Sequence, residues 1–329
     1  MFKDEVRLKT TPIQNQGKSQ LCWIYAMLGT IETEHLMQGD SVVLSTDYVT
    51  RMFLLEQARQ RYLMRTKNSQ NSKNENISMR GMMPMTIHLL EQYGIEPMAS
   101  YHAPDNINYG VIGRKIDQII NVALTRRVGL KNLEQQVNDL LDTSIDYMPQ
   151  FVFMLGAEYT PLEFAHSVCQ KDEYEAYTSF THHPFGTSFV LEVADNQMND
   201  SFMNVPLDTL INRIDSSLQS GHPVCWEGDT SEPGFSFRNG VAQLDSIQQV
   251  SMKSIKNEEI QTLRQLQFEQ FKTTDDHCMV LVGIARDEKN EKYYIAKNSW
   301  GKNNVFGGFM YLSEYYVKLK TIAVILRRE

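Results

Sequence analysis

Thr11-Pro12-Ile13-Gln14-Asn15-Gln16-Gly17-Lys18-Ser19-Gln20-Leu21-Cys22-Trp23-Ile24-Tyr25 sets a lone thiol between a Gln-Gly turn and an apolar run that continues through Ala26, Met27 and Leu28. From Cys22 to Gln38 there is no proline and a single glycine, apolar residues fall on most faces, and Gly39 follows as a C-terminal cap. That pattern predicts a central helix buried nearly all round. Cys22 then stands where a loop meets a helix. Packing is one account, because free cysteine is among the most buried residue types. The other is a nucleophile at a helix N-terminus, where the partial positive charge favours thiolate over thiol.

The rest of the chain bounds what such a thiol can do. Its 329 residues, 42% of them hydrophobic, are enough for a large core. A net charge of −8 argues against a nucleic-acid surface, although a local basic patch is compatible with it. No apolar run is long enough to span a bilayer, and Met1-Phe2-Lys3-Asp4-Glu5 is not signal-like. The protein is therefore expected in the cytoplasm, or in the periplasm or outside the cell if a signal has been removed. Cys22, Cys169, Cys225 and Cys278 are scattered without metal-type spacing, so no metal, no cofactor and no disulfide framework are expected.

Periodicity predicts a second helix opened by Ser45, a loop over Arg65 to Ser78, and a third helix over Pro84 to Gln92 ended by Gly94. The Arg65 to Ser78 loop, poor in apolar anchors, is expected to be mobile and to border the cleft. Apolar stripes at Ile116, Ile119, Ile120 and Ala123, and at Leu133, Val137, Leu140 and Leu141, predict two more helices. Thr160-Pro161-Leu162-Glu163 is a capping box, and Asn204-Val205-Pro206 opens a helix closed by Gly221. After Phe235 the chain turns to strands, with a polar helix over Asn257 to Phe271. The layout expected is α+β in one domain over 1–329. It has a helical part over about 10–112, an inserted helical region over about 113–200 and a β-containing part over about 201–329.

Met279 to Ile284 and Tyr293 to Ala296 flank a turn-like stretch and read as an antiparallel hairpin. If it is centred on Asp287-Glu288, residues whose numbers total 575 face each other, and His277 stands opposite Asn298. His277 alone reads equally well as a satisfied histidine at a strand start. With a carboxamide facing it and a thiol in need of a base, chemistry is the stronger reading.

These residues resemble the papain-like cysteine peptidases. Gln16-Gly17 with Cys22-Trp23 looks like the family's entry to its central helix. Asp276-His277 before an apolar strand resembles its histidine motif, and Lys297-Asn298-Ser299-Trp300-Gly301 its asparagine motif, in the family's order. Within the family the nearest look is to the bleomycin hydrolase and aminopeptidase C branch, through Asn204-Val205-Pro206-Leu207-Asp208, Gly221-His222-Pro223-Val224, Trp226-Glu227-Gly228-Asp229 and Thr273-Thr274-Asp275-Asp276-His277. The resemblance implies a papain-like fold, with the cleft between a helical and a β-sheet subdomain, and a peptide as substrate.

It also implies roles. Cys22 is the nucleophile that forms a thioester, His277 the acid and base, and Asn298 its orienting partner. Gln16 and the Cys22 amide form the oxyanion hole, though alone Gln16 would read as a turn glutamine. Gly81 matches the glycine whose backbone pairs with substrate, and the neighbouring family glycine is Arg80 here. Met82 and Met83 line the second subsite or fill the core, and Trp300 shields the His277–Asn298 bond or serves as a core tryptophan. Cys278 follows His277 where the family has a small residue, and reads as packing. A homo-oligomer is compatible with the sequence.

The activity implied is an aminopeptidase. The alternatives are a papain-like endopeptidase and a non-catalytic peptide-binding relative, the latter opposed by the intact set of Cys22, His277, Asn298 and Gln16. In the branch, a C-terminal carboxylate in the cleft reads the substrate amine. Here Thr321 to Leu326 reads as a last strand, so either an acidic side chain on the cleft rim does it or the activity is not restricted to N-termini.

Overall fold

In the computed structural model, residues 2–67, 76–154, 156–245, 252, 254 and 256–328 are described. The helical layer holds α1 (Cys22–Gln38), α2 (Thr46–Lys67), α3 (Met83–Tyr93), α4 (Tyr109–Thr125), α5 (Leu130–Ser144) and α6 (Pro161–Val168). Local chemistry starts and stops them as read from the sequence. The Ser45 hydroxyl accepts from the Tyr48 amide, Gly39 caps α1 in the left-handed region, and Thr160 with Glu163 forms a reciprocal capping box. From Trp23 to Glu34, α1 is buried on nearly every face. Helix α2 runs through Lys67, so the expected loop cannot begin at Arg65; its middle, 68–75, lies outside the described residues.

The second layer is one eleven-stranded sheet in the order β5-β6-β4-β13-β7-β10-β11-β12-β9-β8, with β1 also on β10. Its inner strands are β4 (Tyr174–Thr178), β7 (Val224–Gly228), β10 (His277–Arg286), β11 (Lys292–Lys297), β12 (Phe309–Ser313) and β13 (Thr321–Arg327). The others are β1 (Lys3–Arg7), β5 (Ser188–Val190), β6 (Ser201–Asn204), β8 (Phe235–Ser236) and β9 (Val241–Ala242). A separate pair joins β2 (Val152–Met154) and β3 (Ala157–Tyr159). Helices α7 (Leu207–Gln219), α8 (Asn257–Glu269) and α9 (Glu314–Lys320) complete the chain. Strand β10 is buried over nine of its ten positions, His277 to Ala285, as expected of a central strand covered on both faces. Helix α1 lies so close to it that a Cβ added at Gly29 would meet Val280 Cγ2 at 3.2 Å.

Two expectations need correction. The 113–200 region is not purely helical, since it contributes β4 and β5 to the main sheet, and β1 ties the N-terminus into that sheet. Nor does the hairpin keep the predicted register. Val280 pairs with Lys297 and, beyond a bulge between Leu281 and Gly283, Gly283 pairs with Ile295. The ladder is thus two residues, then three, away from the register predicted. The turn is centred on Lys289 rather than on Asp287-Glu288, which sets the shift of three beside it, and the bulge, one extra residue in one strand, takes one back; no alternation pattern announces either.

Candidate active site

The corrected register makes the meeting of His277 and Asn298 depend on a turn. Strand β11 ends at Lys297, and Asn298, in the bend just beyond, reaches His277, the first residue of β10. His277 Nε2 lies 2.8 Å from Asn298 Oδ1, with both residues buried. The same Oδ1 accepts from the Ser299 amide at 2.7 Å, which fixes which end of the carboxamide is oxygen. His277 Nε2 must therefore carry the proton, leaving Nδ1 free for the thiol. The Trp300 ring lies over the imidazole, centroids 4.5 Å apart, with Phe235 and Phe237 edge-on to it.

Cys22 is the first residue of α1, and among the described residues no side chain caps that helix end. Its thiol is held well below the ordinary cysteine range, first by a hydrogen bond with the Cys278 thiol, then by the hydrogen bond and charge of His277, against the opposing effect of burial. Burial pushes the Cys278 thiol up, so Cys278 is the donor of that pair. The other thiols go the same way, Cys169 to about 12.

Gln16 is held at both ends of its amide. Its Nε2 donates to the Ser19 carbonyl at 2.7 Å, and its Oε1 accepts from the Ser299 hydroxyl at 2.5 Å. One N–H of Nε2 remains beyond that bond. Gln16, Cys22, Gly81, His277, Cys278 and Trp300 all line one cleft of about 200 Å³. Gly81 stands against the indole of Trp23, where an added Cβ would meet Cε2 at 2.9 Å, so a larger residue would collide. Met82 and Met83 are wholly buried and do not line the cleft. They belong to the core, which corrects their placement in a subsite.

The same cleft carries groups absent from the sequence-based site, Asp195, Glu227, Asp275 and Asp276, together with the guanidinium of Arg80. Arg80 Nε donates to both oxygens of Asp195, at 2.6 and 2.9 Å, and Nη2 donates to the Asp275 carbonyl at 3.1 Å. Burial pushes the carboxyl of Asp195 up to about 6 despite that ion pair, and it raises those of Asp275 and, most of all, Glu227. Glu227 and Asp275 stood within motifs already quoted, but no pattern tied Asp195 or Arg80 to them. Only folding brings residues 80, 195, 227 and 275 together.

Among the described residues one group could hold a metal ion, His182, His183 and Glu192, whose ligand atoms lie within 4.8 Å of one another. Each imidazole already pairs with one oxygen of Glu192, at 3.1 and 2.7 Å, and none of the three lines the cleft.

A family model described as Peptidase C1-like matches residues 150–329. Aminopeptidase G of Lactobacillus delbrueckii subsp. lactis is 21% identical over 369 residues, covering 98% of this chain and 82% of its own. Aminopeptidase C of Lactococcus lactis subsp. cremoris is 22% identical over 373 residues, with the same coverages. Among solved structures, PepW from Lactobacillus rhamnosis HN001 superposes with a TM-score of 0.77 at 16% identity, over 99% of this chain and 82% of its own, which shows the shared fold. A thiol at the start of a central helix, a histidine at the start of a sheet strand and a family model covering more than half of the sequence agree, and the chain belongs to the Peptidase C1-like family as a cysteine-type peptidase acting on peptides.

Proposed function

We propose that this peptidase is an aminopeptidase whose nucleophile is Cys22. The thiolate attacks the scissile carbonyl carbon and forms a C–S bond. His277, protonated through Nδ1, gives that proton to the departing amine, leaving a thioester on Cys22. His277 then takes a proton from water as the water attacks the thioester, and the thiolate leaves. Asn298 holds the imidazole tautomer, and Trp300 keeps water from the bond between them. The Cys22 amide and the spare N–H of Gln16 face the developing oxyanion; losing one such donor typically costs about 10²–10³ in rate. Gly81 offers its backbone to the substrate chain.

The observation that carries the exopeptidase reading is the make-up of the cleft, whose lining sets the carboxyl groups of Asp195, Glu227, Asp275 and Asp276 beside the thiol, with the guanidinium of Arg80 paired to Asp195. Such a wall favours a substrate that brings its own positive charge, the free α-ammonium. The relatives named aminopeptidases agree with it. An endopeptidase is the alternative that β13 keeps open. Thr321 pairs with Gly228 near His277, and the strand then runs six residues away, about 20 Å at the usual rise. That strand brings no carboxylate to the cleft. A non-catalytic peptide-binding role sits poorly with a thiol held below its ordinary range beside a histidine of fixed tautomer.

The test compares an aminoacyl fluorogenic amide with its N-acetyl counterpart, with Cys22→Ala as control. A free amine preferred by roughly 10- to 150-fold in kcat/KM, the worth of one charged hydrogen bond, supports the aminopeptidase. Equal rates would leave an endopeptidase.

A further inference from the structure

We propose that Glu227 is the specificity-determining residue of this cleft, the carboxylate that receives the substrate's α-ammonium group. The inference rests on the aminopeptidase reading and adds to it the group that does the reading. In an aminopeptidase the ammonium nitrogen is separated from the attacked carbonyl carbon by one Cα, a span of about 2.5 Å from standard bond lengths. Whatever carboxylate binds it must therefore stand close beside the nucleophile.

Glu227 does. On β7 it pairs directly with Cys278 of β10, the residue after His277, and it lines the same cleft as Cys22 and His277. On its other side it pairs with Ala323 of β13, which brings no charge. The charged and titratable groups that act on it are Asp275, Cys22, Asp195 and Arg80, with Cys278 and Cys225 beside it.

The competing carboxylates are occupied. Asp195 gives both oxygens to Arg80, and Asp275 accepts from the Asp195 amide at 3.2 Å. Asp276 is engaged by the Thr274 hydroxyl at 2.8 Å and the Thr230 amide at 3.3 Å. Glu227 lines the cleft, is 2% exposed, and its Oε2 has no partner among the described residues. A buried carboxylate left without a donor is costly, and native proteins rarely keep one without a role. An ammonium group would supply both the missing donors and the missing charge.

The experiment measures kcat/KM for a free-amine aminoacyl coumarylamide and for its N-acetyl form, on the full chain and on Glu227→Gln, which keeps the side chain's shape. The expected result is a wild-type preference for the free amine of 10-fold or more that falls to within about threefold of unity in Glu227→Gln, mostly through KM. A second variant, Glu227→Asp, keeps the charge but draws it back by one methylene. Its preference should fall between the other two, and it serves as the test if the Gln variant does not fold. A wild-type preference that survives in both variants, or an equal loss on both substrates, overturns the role of Glu227 while leaving the aminopeptidase standing. No preference in the wild type would instead overturn the aminopeptidase reading itself.

Discussion

Two clusters of buried polar groups lie along α1, and they differ in one respect. Ten residues into the helix, about 15 Å from its start, Glu32 accepts from the Thr11 hydroxyl at 2.5 Å and from the Leu44 amide at 2.9 Å. Lys297 donates to the same hydroxyl at 2.6 Å and stands 4.0 Å from the carboxylate. Each charge there has an opposite charge nearby, and the cluster joins α1 to β11. At the helix start, Arg80 balances only one of the carboxylates around Cys22, and Glu227 keeps an oxygen unpaired. A satisfied buried network holds two elements in place. An unsatisfied one, opening onto a cleft, is arranged for a partner that arrives from outside. Burial alone does not separate structural from functional charges, and neither does an unpaired oxygen alone, since Glu96 is buried with both oxygens unpaired among the described residues and lies outside the cleft. The unpaired oxygen of Glu227 differs because its residue lines the cleft beside the thiol.

The widest gap between the clusters should appear on deleting the thiol. Cys22→Ala is expected to lower kcat by on the order of 10⁴-fold or more, as for nucleophiles acting within a catalytic unit, with thermal unfolding little changed. Residual turnover near the wild-type rate, in a preparation free of contaminating peptidase, would break the assignment.

The satisfied cluster should fail in the opposite way. Lys297→Met leaves the Glu32 carboxylate buried beside a hydroxyl and an amide but without its counter-charge, which typically costs about 3–5 kcal/mol. Urea unfolding should show that loss, while the ratio of free-amine to blocked hydrolysis stays put. A changed ratio with unchanged stability would mean the two clusters are not separate devices.

Asn298→Ala removes the acceptor that fixes the His277 tautomer. We expect kcat to fall by roughly 10²-fold and KM to move far less. A fall confined to KM would place Asn298 in binding rather than in orientation.

The smallest effect concerns pH and stability. Because burial raises the folded-state pKa of Glu227, its carboxyl is compatible with folding while protonated, below the unfolded value near 4.3. Stability is lost as pH rises through the folded value. Glu227→Gln carries no such penalty, so its Tm should exceed the wild type's by a margin that grows from pH 4 to pH 8. A margin that shrinks with rising pH would show that the carboxylate is charged and well compensated in the empty cleft.

Much of this was legible in the sequence because it is local. Helix faces, the Ser45 and Thr160 caps and the Gly39 terminator depend on residues a few positions apart, and the ordered Gln, Cys, His and Asn motifs named the family. The hairpin shows where locality ends. Its strands were found, but the turn is centred on Lys289 and a bulge near Val282 shifts the ladder again, and His277 still met Asn298 because the chain turns after Lys297. Met82 and Met83 fit a subsite or a core equally well from sequence, and only the packed structure, in which both are buried and neither lines the cleft, put them inside.

By itself, then, the sequence determined the class of protein, the helical framework and the thiol, imidazole and carboxamide of the proposed site, since each is written in short motifs and periodicities. The tertiary structure alone decided the ladder register, the pairing of Arg80 with Asp195, and the place of Glu227, whose Oε2 has no partner among the described residues, in the cleft that Cys22 lines. Those depend on segments up to 195 positions apart, from Arg80 to Asp275, whose contacts arise only when the sheet and the helical layer close around the cleft.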